Sequence, residues 1–150
     1  MSIAISRLQG DQTHFAVDIL RQFEVPQPRM DSLTKFLASD SHYFVAASLD
    51  NVCAGFAYAY ELLRPDGSSM LFLYSIDVHP DFRRRGVATA LVAFLRRVAE
   101  VRRMKELFVI AERSNEAAVA LYRATGAVVE GGESLCFVYL VHDSAKTCNK

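Results

Sequence analysis

The sequence predicts one mixed α/β domain, a mostly antiparallel sheet joined by about four helices, and three observations carry that prediction. Residues 71–78 form an apolar run that ends at His79-Pro80, and an amphipathic pattern starts at Val87. Residues 43–49 and 52–60 are two strand-like runs separated by Asp50-Asn51, a pair suited to the positive φ angles of a tight hairpin. Residues 107–111 form a further buried-looking strand after a helix, and a helical crossover can place such a strand parallel to the one before it.

Taken in order, Ile3 and Ile5 alternate with Ala4 and Ser6 in a short first strand, closed by Gly10-Asp11. A helix follows with Phe15, Ile19, Leu20 and Phe23 on one face, and it stops before Pro26; Pro26 and Pro28 stiffen the connector. A second helix is expected over 32–38, with Asp31 or Ser32 as its cap and Leu33, Phe36 and Leu37 turned inward. Gly55, inside the second run of the hairpin, marks a close approach or a bulge. Pro65-Asp66-Gly67 is a turn that returns the chain to the central strand. After the strand at 107–111, residues 115–122 begin a helix with Ser114 or Asn115 as N-cap, and Gly126 ends it in a left-handed cap. Val128-Val129, a turn at Gly131-Gly132 and a last strand over 135–141 complete the order, with a polar tail from His142 that is expected to fray.

The central unit carries the chemistry. Pro80 lacks the N–H that would continue a ladder, so the strand at 71–78 stops there. Val87, Leu91, Phe94, Leu95 and Val98 then recur at helical spacing, while most of the charged residues occupy the other side. Between them stand Arg83, Arg84 and Arg85, then Gly86 and Ala88. A helix start presents N–H groups with no intrahelical partner and the positive end of the helix dipole, which together favour an anion. Three arginines exceed what one phosphate needs, so a diphosphate fits better. An ordinary strand-to-helix turn with a solvated basic cluster gives the same pattern. The Lys-Ser/Thr ending of a nucleotide-triphosphate loop is missing, and too little chain follows for a two-half dinucleotide fold.

Composition bounds the rest. A chain of 150 residues, 51% hydrophobic and 11% aromatic, can bury one substantial core, and no linker or repeat divides it. Seventeen basic and seventeen acidic residues leave no overall field, which argues against a nucleic-acid partner. Cys53, Cys136 and Cys148 are spaced neither for a disulfide framework nor for a metal, and they point to a reducing cytoplasm. The four histidines show no ligand-like pairing, so no metal is expected. No apolar run reaches the roughly 18 residues that span a bilayer, so no membrane partner is expected. A homodimer is left open.

With these residues in view, the stretch Arg83, Gly86, Ala88 resembles the Q/R-x-x-G-x-G/A signature of the GNAT acetyltransferases. Asn115, Ala118, Leu121-Tyr122 and Gly126 resemble that family's second signature, N-x-x-A-x-x-L-Y followed by a glycine. The resemblance implies a sheet whose two parallel central strands splay apart around acetyl-CoA as cosubstrate. It assigns acetyl-CoA contacts to Ile76, Val78, Arg83, Arg84, Arg85, Gly86, Val87, Ala88, Thr89 and Asn115. Val78 would present its amide to the thioester carbonyl, and Tyr122 would protonate the departing thiolate. An amine acceptor must lose a proton before it attacks. Asp77 is the first candidate for that base and Glu61 the second.

The central block 72–78 also resembles the aminoglycoside 3-N-acetyltransferase branch, which implies an aminosugar acceptor held by carboxylates. Asp31, Glu61, Asp66, Asp77, Glu130 and Glu133 are the acidic residues that could converge, and Asp31, Glu61 and Ser75 are the candidate acceptor contacts. Ser75 departs from the branch, which carries Asp there, and serine cannot serve as the same base. Three readings follow: an aminoglycoside-type N-acetyltransferase, an enzyme for another small-molecule or protein amine, and a non-catalytic acyl-CoA-binding module.

Overall fold

The alternation of apolar and small residues in the first half of the chain builds a sheet that both faces must cover. The computed structural model describes residues 2–130, 132 and 135–141. Its elements are β1 (Ile3–Arg7), α1 (Thr13–Gln22), α2 (Met30–Ala38), β2 (His42–Leu49), β3 (Val52–Leu63), β4 (Ser69–Val78), α3 (Val87–Val101), β5 (Leu107–Val109) and α4 (Glu116–Ala124). The strands lie in the order β1-β2-β3-β4-β5, antiparallel until the final pair, where β5 runs parallel to β4. This is the mixed fold with a parallel pair that the sequence predicts.

Asp50 and Asn51 take φ of 51° and 66°, the left-handed pair that a two-residue hairpin requires. The turn before β4 closes through Asp66, whose Oδ1 accepts from the Ser68 amide at 2.9 Å and from its hydroxyl at 2.6 Å. Glu61, Leu62 and Leu63 extend β3 beyond the expected end at Tyr60 and pair with Leu71, Met70 and Ser69.

Period-2 side chains divide the core between the two faces. On one face Leu71 and Leu73 of β4 and Ala57 and Ala59 of β3 pack with Leu91 and Leu95 of α3. On the other, Phe44, Ala46 and Phe56 pack against Ile19 and Leu20 of α1 and Leu33 and Leu37 of α2. Full burial of such a side chain stabilises by about 1.5–3 kcal/mol. Gly55 sits where β3 meets the start of α3. A Cβ there would lie 2.8 Å from the Asp77 carbonyl oxygen and 3.0 Å from Val87 Cγ1, so the glycine is the condition of that approach.

Three expectations need correction. The α1 stripe is rotated: Phe15 is 46% exposed, and Ala16, Val17, Ile19 and Leu20 are buried instead. Helix α2 begins at Met30 with Arg29 at the cap position, which places Asp31 inside the first turn. Residues 135–141 form no strand, and Leu135, Phe137, Val138, Tyr139, Leu140 and Val141 are 65–91% exposed. An alternating apolar run becomes a strand only when a sheet edge pairs with it, and among the described residues β5, three residues long, pairs with β4 alone. Residue 131 of the expected final turn, Glu133 and the tail from His142 lie outside the described residues.

Candidate active site

The site follows from where β4 loses a neighbour. β5 accompanies β4 only from Leu71 to Leu73, whereas β3 follows it to Val78. The His79 amide donates to the Ala54 carbonyl at 2.9 Å, towards β3. Backbone groups alternate along a strand, so the amides of Val78 and Ile76 face the other way, into the gap left by β5. Val78 N–H, the amide expected to meet the thioester, donates at 2.8 Å to Asp77 Oδ1. The Ile76 amide faces the same gap one pleat earlier.

A one-residue bulge precedes these positions. Tyr58 pairs with Ser75 and Ala59 with Leu73, leaving Tyr74 as the extra residue on β4. Ile76 and Val78 pack on the α3 face, so Ser75 and Asp77 occupy the opposite one. Ser75 sits opposite Tyr58 there across the strand pair.

The basic turn leads into α3 by a backbone that only certain residues tolerate. Arg84 and Gly86 have φ of 61° and 84°, and Gly86 is the N-cap. A Cβ at Gly86 would meet nothing nearer than Ile3 Cδ1 at 3.9 Å, so conformation, not crowding within the chain, makes this position a glycine. The Gly86 carbonyl accepts from Ala90 at 2.9 Å, which starts the helical ladder and leaves the Val87, Ala88 and Thr89 amides at its open end. Arg83 Nε donates to the Val78 carbonyl at 3.3 Å and ties the turn to β4. The Arg85 guanidinium lies 5.7 Å from the Phe82 ring centroid.

Helix α4 closes the other side. Asn115 is its N-cap, accepting from the Ala118 amide at 3.2 Å, and Gly126 ends it with φ of 96°. Arg96 of α3 donates to the Thr125 carbonyl at 2.7 Å and holds the two helices together. Tyr122 is packed against the α3-side core, and burial pushes its phenol pKa up, so the hydroxyl keeps its proton through the neutral range.

Between these parts lies a cleft of about 590 Å3. It brings together Ile76, Asp77 and Val78, the turn residues Arg83, Arg84 and Gly86, the helix start Val87, Ala88 and Thr89, and Asn115 and Tyr122. Phe82 and Ala117 line it too, and sequence reading did not single them out. An aromatic residue inside an otherwise polar, basic turn was the available signal for Phe82.

Other predicted positions lie apart from this cleft. Arg29 donates to Asp31 at 2.8 Å, and that hydrogen bond holds the carboxyl below its ordinary pKa. Glu61 accepts from Ser69 at 2.9 Å and pairs with Arg102 at 2.9 Å, at the C-terminal end of α3. Asp66 is engaged in its own turn, and Glu130 lines a second cavity of about 710 Å3 beside β5. Among the described residues no group of three or more His, Cys, Asp or Glu is arranged for a metal, and no helix is long and apolar enough to cross a membrane.

A sheet opened between two parallel strands, with a helix start aimed into the opening, defines an acyl-CoA transferase architecture. The chain belongs to the acetyltransferase (GNAT) family, whose model matches residues 11–127. No curated protein matches it by sequence. Among solved structures it is similar to the aminoglycoside acetyltransferase HMB0005 from an uncultured soil metagenomic sample, with 27% identity and a TM-score of 0.83 over 95% of this chain and 100% of that one. It is similar to the aminoglycoside acetyltransferase AAC(6')-Iy in complex with a CoA-acetylneamine bisubstrate analogue, at 24% identity and a TM-score of 0.77 over 93% and 99% of the two chains. It is also similar in fold to the ribosomal-protein-alanine N-acetyltransferase of Brucella melitensis biovar Abortus 2308, at 23% identity and a TM-score of 0.73 over 92% and 100%. The protein is an N-acetyltransferase of the GNAT type.

Proposed function

We propose that this protein transfers the acetyl group of acetyl-CoA directly to a primary amine, with an aminosugar of the aminoglycoside type as acceptor. The observation that carries the reading is the single cleft in which the Arg83–Arg84–Gly86 turn, the start of α3, the open edge of β4 and Tyr122 meet. The residues present fit the cosubstrate. Arg83 and Arg84 and the amides at 87–89 suit a pyrophosphate, and the 590 Å3 cleft leads from them to the Ile76 amide. Acetyl-CoA supplies an activated acyl group; the chain supplies orientation, charge stabilisation and proton transfer.

Asp77, exposed beside the gap, takes the proton from the incoming ammonium directly or through water. The Ile76 amide donates to the carbonyl oxygen as negative charge builds on it. Ile76 takes this role in place of Val78 because the Val78 N–H already donates to Asp77. As the C–S bond breaks, Tyr122 gives its proton to the departing sulfur, and the second proton, shed by the acylated nitrogen, restores the phenol through water; its raised pKa keeps the proton available. No covalent enzyme intermediate is needed; burial raises the pKa of Cys53, the opposite of an activated nucleophile.

Aminoglycoside acetylation is what HMB0005 and AAC(6')-Iy are named for, and that supports the acceptor class. The resemblance of residues 72–78 favours the 3-amino group, whereas AAC(6')-Iy is named for the 6' position. The test is thiol release from acetyl-CoA with a panel of aminosugars, polyamines and peptide amines, followed by mass spectrometry of the product. Acetylation of aminosugars with the modified nitrogen located supports the reading. Efficient turnover of peptide amines with inert aminosugars overturns the acceptor, and no turnover with any amine overturns the activity.

A further inference from the structure

The face of β4 that carries Asp77 is aromatic. Tyr74, placed there by the bulge, stacks on Tyr58 with ring centroids 5.6 Å apart and planes at 20°. Tyr60 and Phe72 meet Tyr74 edge-on at 5.9 Å and 5.6 Å. Phe72 in turn lies 4.7 Å from Phe108 of β5, their planes 4° from parallel. Phe36 of α2 meets Tyr58 and Tyr60 edge-on at 5.9 Å and 5.5 Å and covers part of them, while Tyr74, 47% exposed, and the partly buried Phe72 carry the array's ring surface out to solvent. Burial raises the pKa of Tyr58 and Tyr60, which keeps their rings neutral phenols.

Charge on this face is sparse. Strand alternation places Phe56, Tyr58, Tyr60 and Leu62 of β3 and Met70, Phe72, Tyr74, Ser75 and Asp77 of β4 on it. Asp77, at the end beside the gap, is the single carboxylate among them. Of the other carboxylates expected near an acceptor, Glu61 points to the α3 face and pairs with Arg102, and Asp31, exposed on α2, pairs with Arg29. The array is therefore continuous with the place where proton transfer would occur and differs in chemistry from a carboxylate-lined cleft.

We propose that Tyr58, Tyr60, Phe72 and Tyr74 form the acceptor platform, selecting primary amines borne on or beside a saturated ring over open-chain polyamines. The inference rests on the N-acetyltransferase reading and names what that site recognises. A ring offers a flat C–H surface that packs on aromatic faces and desolvates them without conformational cost, while the attached ammonium is attracted by the negative face of a ring. An open-chain polyamine offers cationic charge without that surface and must be ordered on binding. Approaching from this face, the amine meets Asp77 and then the gap that the Ile76 amide faces.

The test measures KM at saturating acetyl-CoA for neamine, cyclohexylmethylamine and spermidine, with Tyr74→Leu and Tyr74→Phe alongside. The expected result is a lower KM for the two ring amines than for spermidine. Tyr74→Leu keeps apolar bulk and removes the π face, and it should raise ring-amine KM about tenfold while acting on KM more than on kcat. Tyr74→Phe should stay within about twofold of the original chain, because the ring remains. Unchanged ring-amine KM in Tyr74→Leu, or a spermidine KM equal to that of the ring amines, overturns the platform. Turnover of cyclohexylmethylamine with inert neamine sinks the aminosugar acceptor and keeps the platform. If no amine is acetylated, calorimetric binding of the ring amines decides: tenfold weaker binding in Tyr74→Leu supports the platform, and no binding to the unmodified protein overturns it.

Discussion

The two halves of β4 are built to different ends. From Leu71 to Leu73 the strand has β3 on one edge and β5 on the other, and Leu71 and Leu73 are 0–1% exposed. From Ile76 to Val78 it keeps β3 alone, its side chains are partly or fully exposed, and its second edge opens into a cleft. The bulge at Tyr74 separates them. A strand paired on both sides has no backbone group left for a ligand, so chemistry can use the strand only where pairing stops. The first half anchors the second, and substitutions should separate accordingly into losses of stability and losses of activity.

The largest effect belongs to the anchored half. Leu71→Ala empties a fully buried site packed by α3, and it should cost about 2–5 kcal/mol by denaturant unfolding, with KM values unchanged in the folded fraction. A loss below 1 kcal/mol would mean that the α3-side core does not depend on this strand. Across the cleft from the open half, at the N-cap of α3, Gly86→Asp forces a side chain into φ of 84° and sets a negative charge at the helix start. Strain and dipole together predict acetyl-CoA affinity about 100-fold weaker by calorimetry, in a variant whose circular dichroism is native. Unaltered affinity would remove the turn from the binding site.

Tyr122→Phe deletes one hydroxyl and keeps the ring. On the proposed role of Tyr122, about a 100-fold drop in kcat is expected with little change in acetyl-CoA Kd, because that proton would be needed only as the thiolate forms. Burial raises this phenol above its ordinary pKa of 10.0, so its protonated form is present below that pH and is lost only as pH rises through the higher value. An alkaline limb above pH 10 that vanishes in Tyr122→Phe is expected, and the same limb persisting in Tyr122→Phe would contradict the assignment. Asp77→Asn should be milder, about tenfold in kcat, because Asn Oδ1 can still accept the Val78 amide and water can carry the amine proton away. Full turnover across pH would place the proton route elsewhere.

Sequence reading reached the order of elements, the hairpin at Asp50-Asn51, the helix start at Gly86 and the cap at Asn115, because each is encoded locally. A left-handed turn, an N-cap and an amphipathic stripe need only neighbours within a few residues. What it missed depends on partners distant in sequence. The direction of the Ile76 amide is set by a bulge against Tyr58 and by the point at which β5 ends. Tyr58, Tyr60, Phe72 and Tyr74 each read as ordinary strand residues, and only the register of two strands makes them one surface. The run at 135–141 failed in the opposite sense, since its pattern is local and correct for a strand while, among the described residues, no partner edge receives it.

The smallest expected effect tests the boundary between the two halves through Glu61. A carboxylate at the end of an apolar run reads as a strand terminus facing solvent or substrate. Here it continues β3, points to the α3 face, and has a side chain only 12% exposed. Burying that charge alone would be costly, and the structure supplies three partners: the Ser69 hydroxyl at 2.9 Å, the Arg102 guanidinium at 2.9 Å and the Tyr43 hydroxyl at 3.5 Å. Arg102 is 44% exposed, so water screens the pair and lowers its worth. Glu61→Gln retains an acceptor for Ser69 and removes the charge that faces Arg102. The expected cost is about 1 kcal/mol of unfolding free energy, with kcat and both KM values within about twofold of the original. Arg102→Met should reproduce the loss, and the double variant should cost less than the sum of the singles, because the pair is counted once. A tenfold rise in acceptor KM in Glu61→Gln at unchanged stability would return this carboxylate to the substrate and extend the reactive half of the strand pair past the bulge.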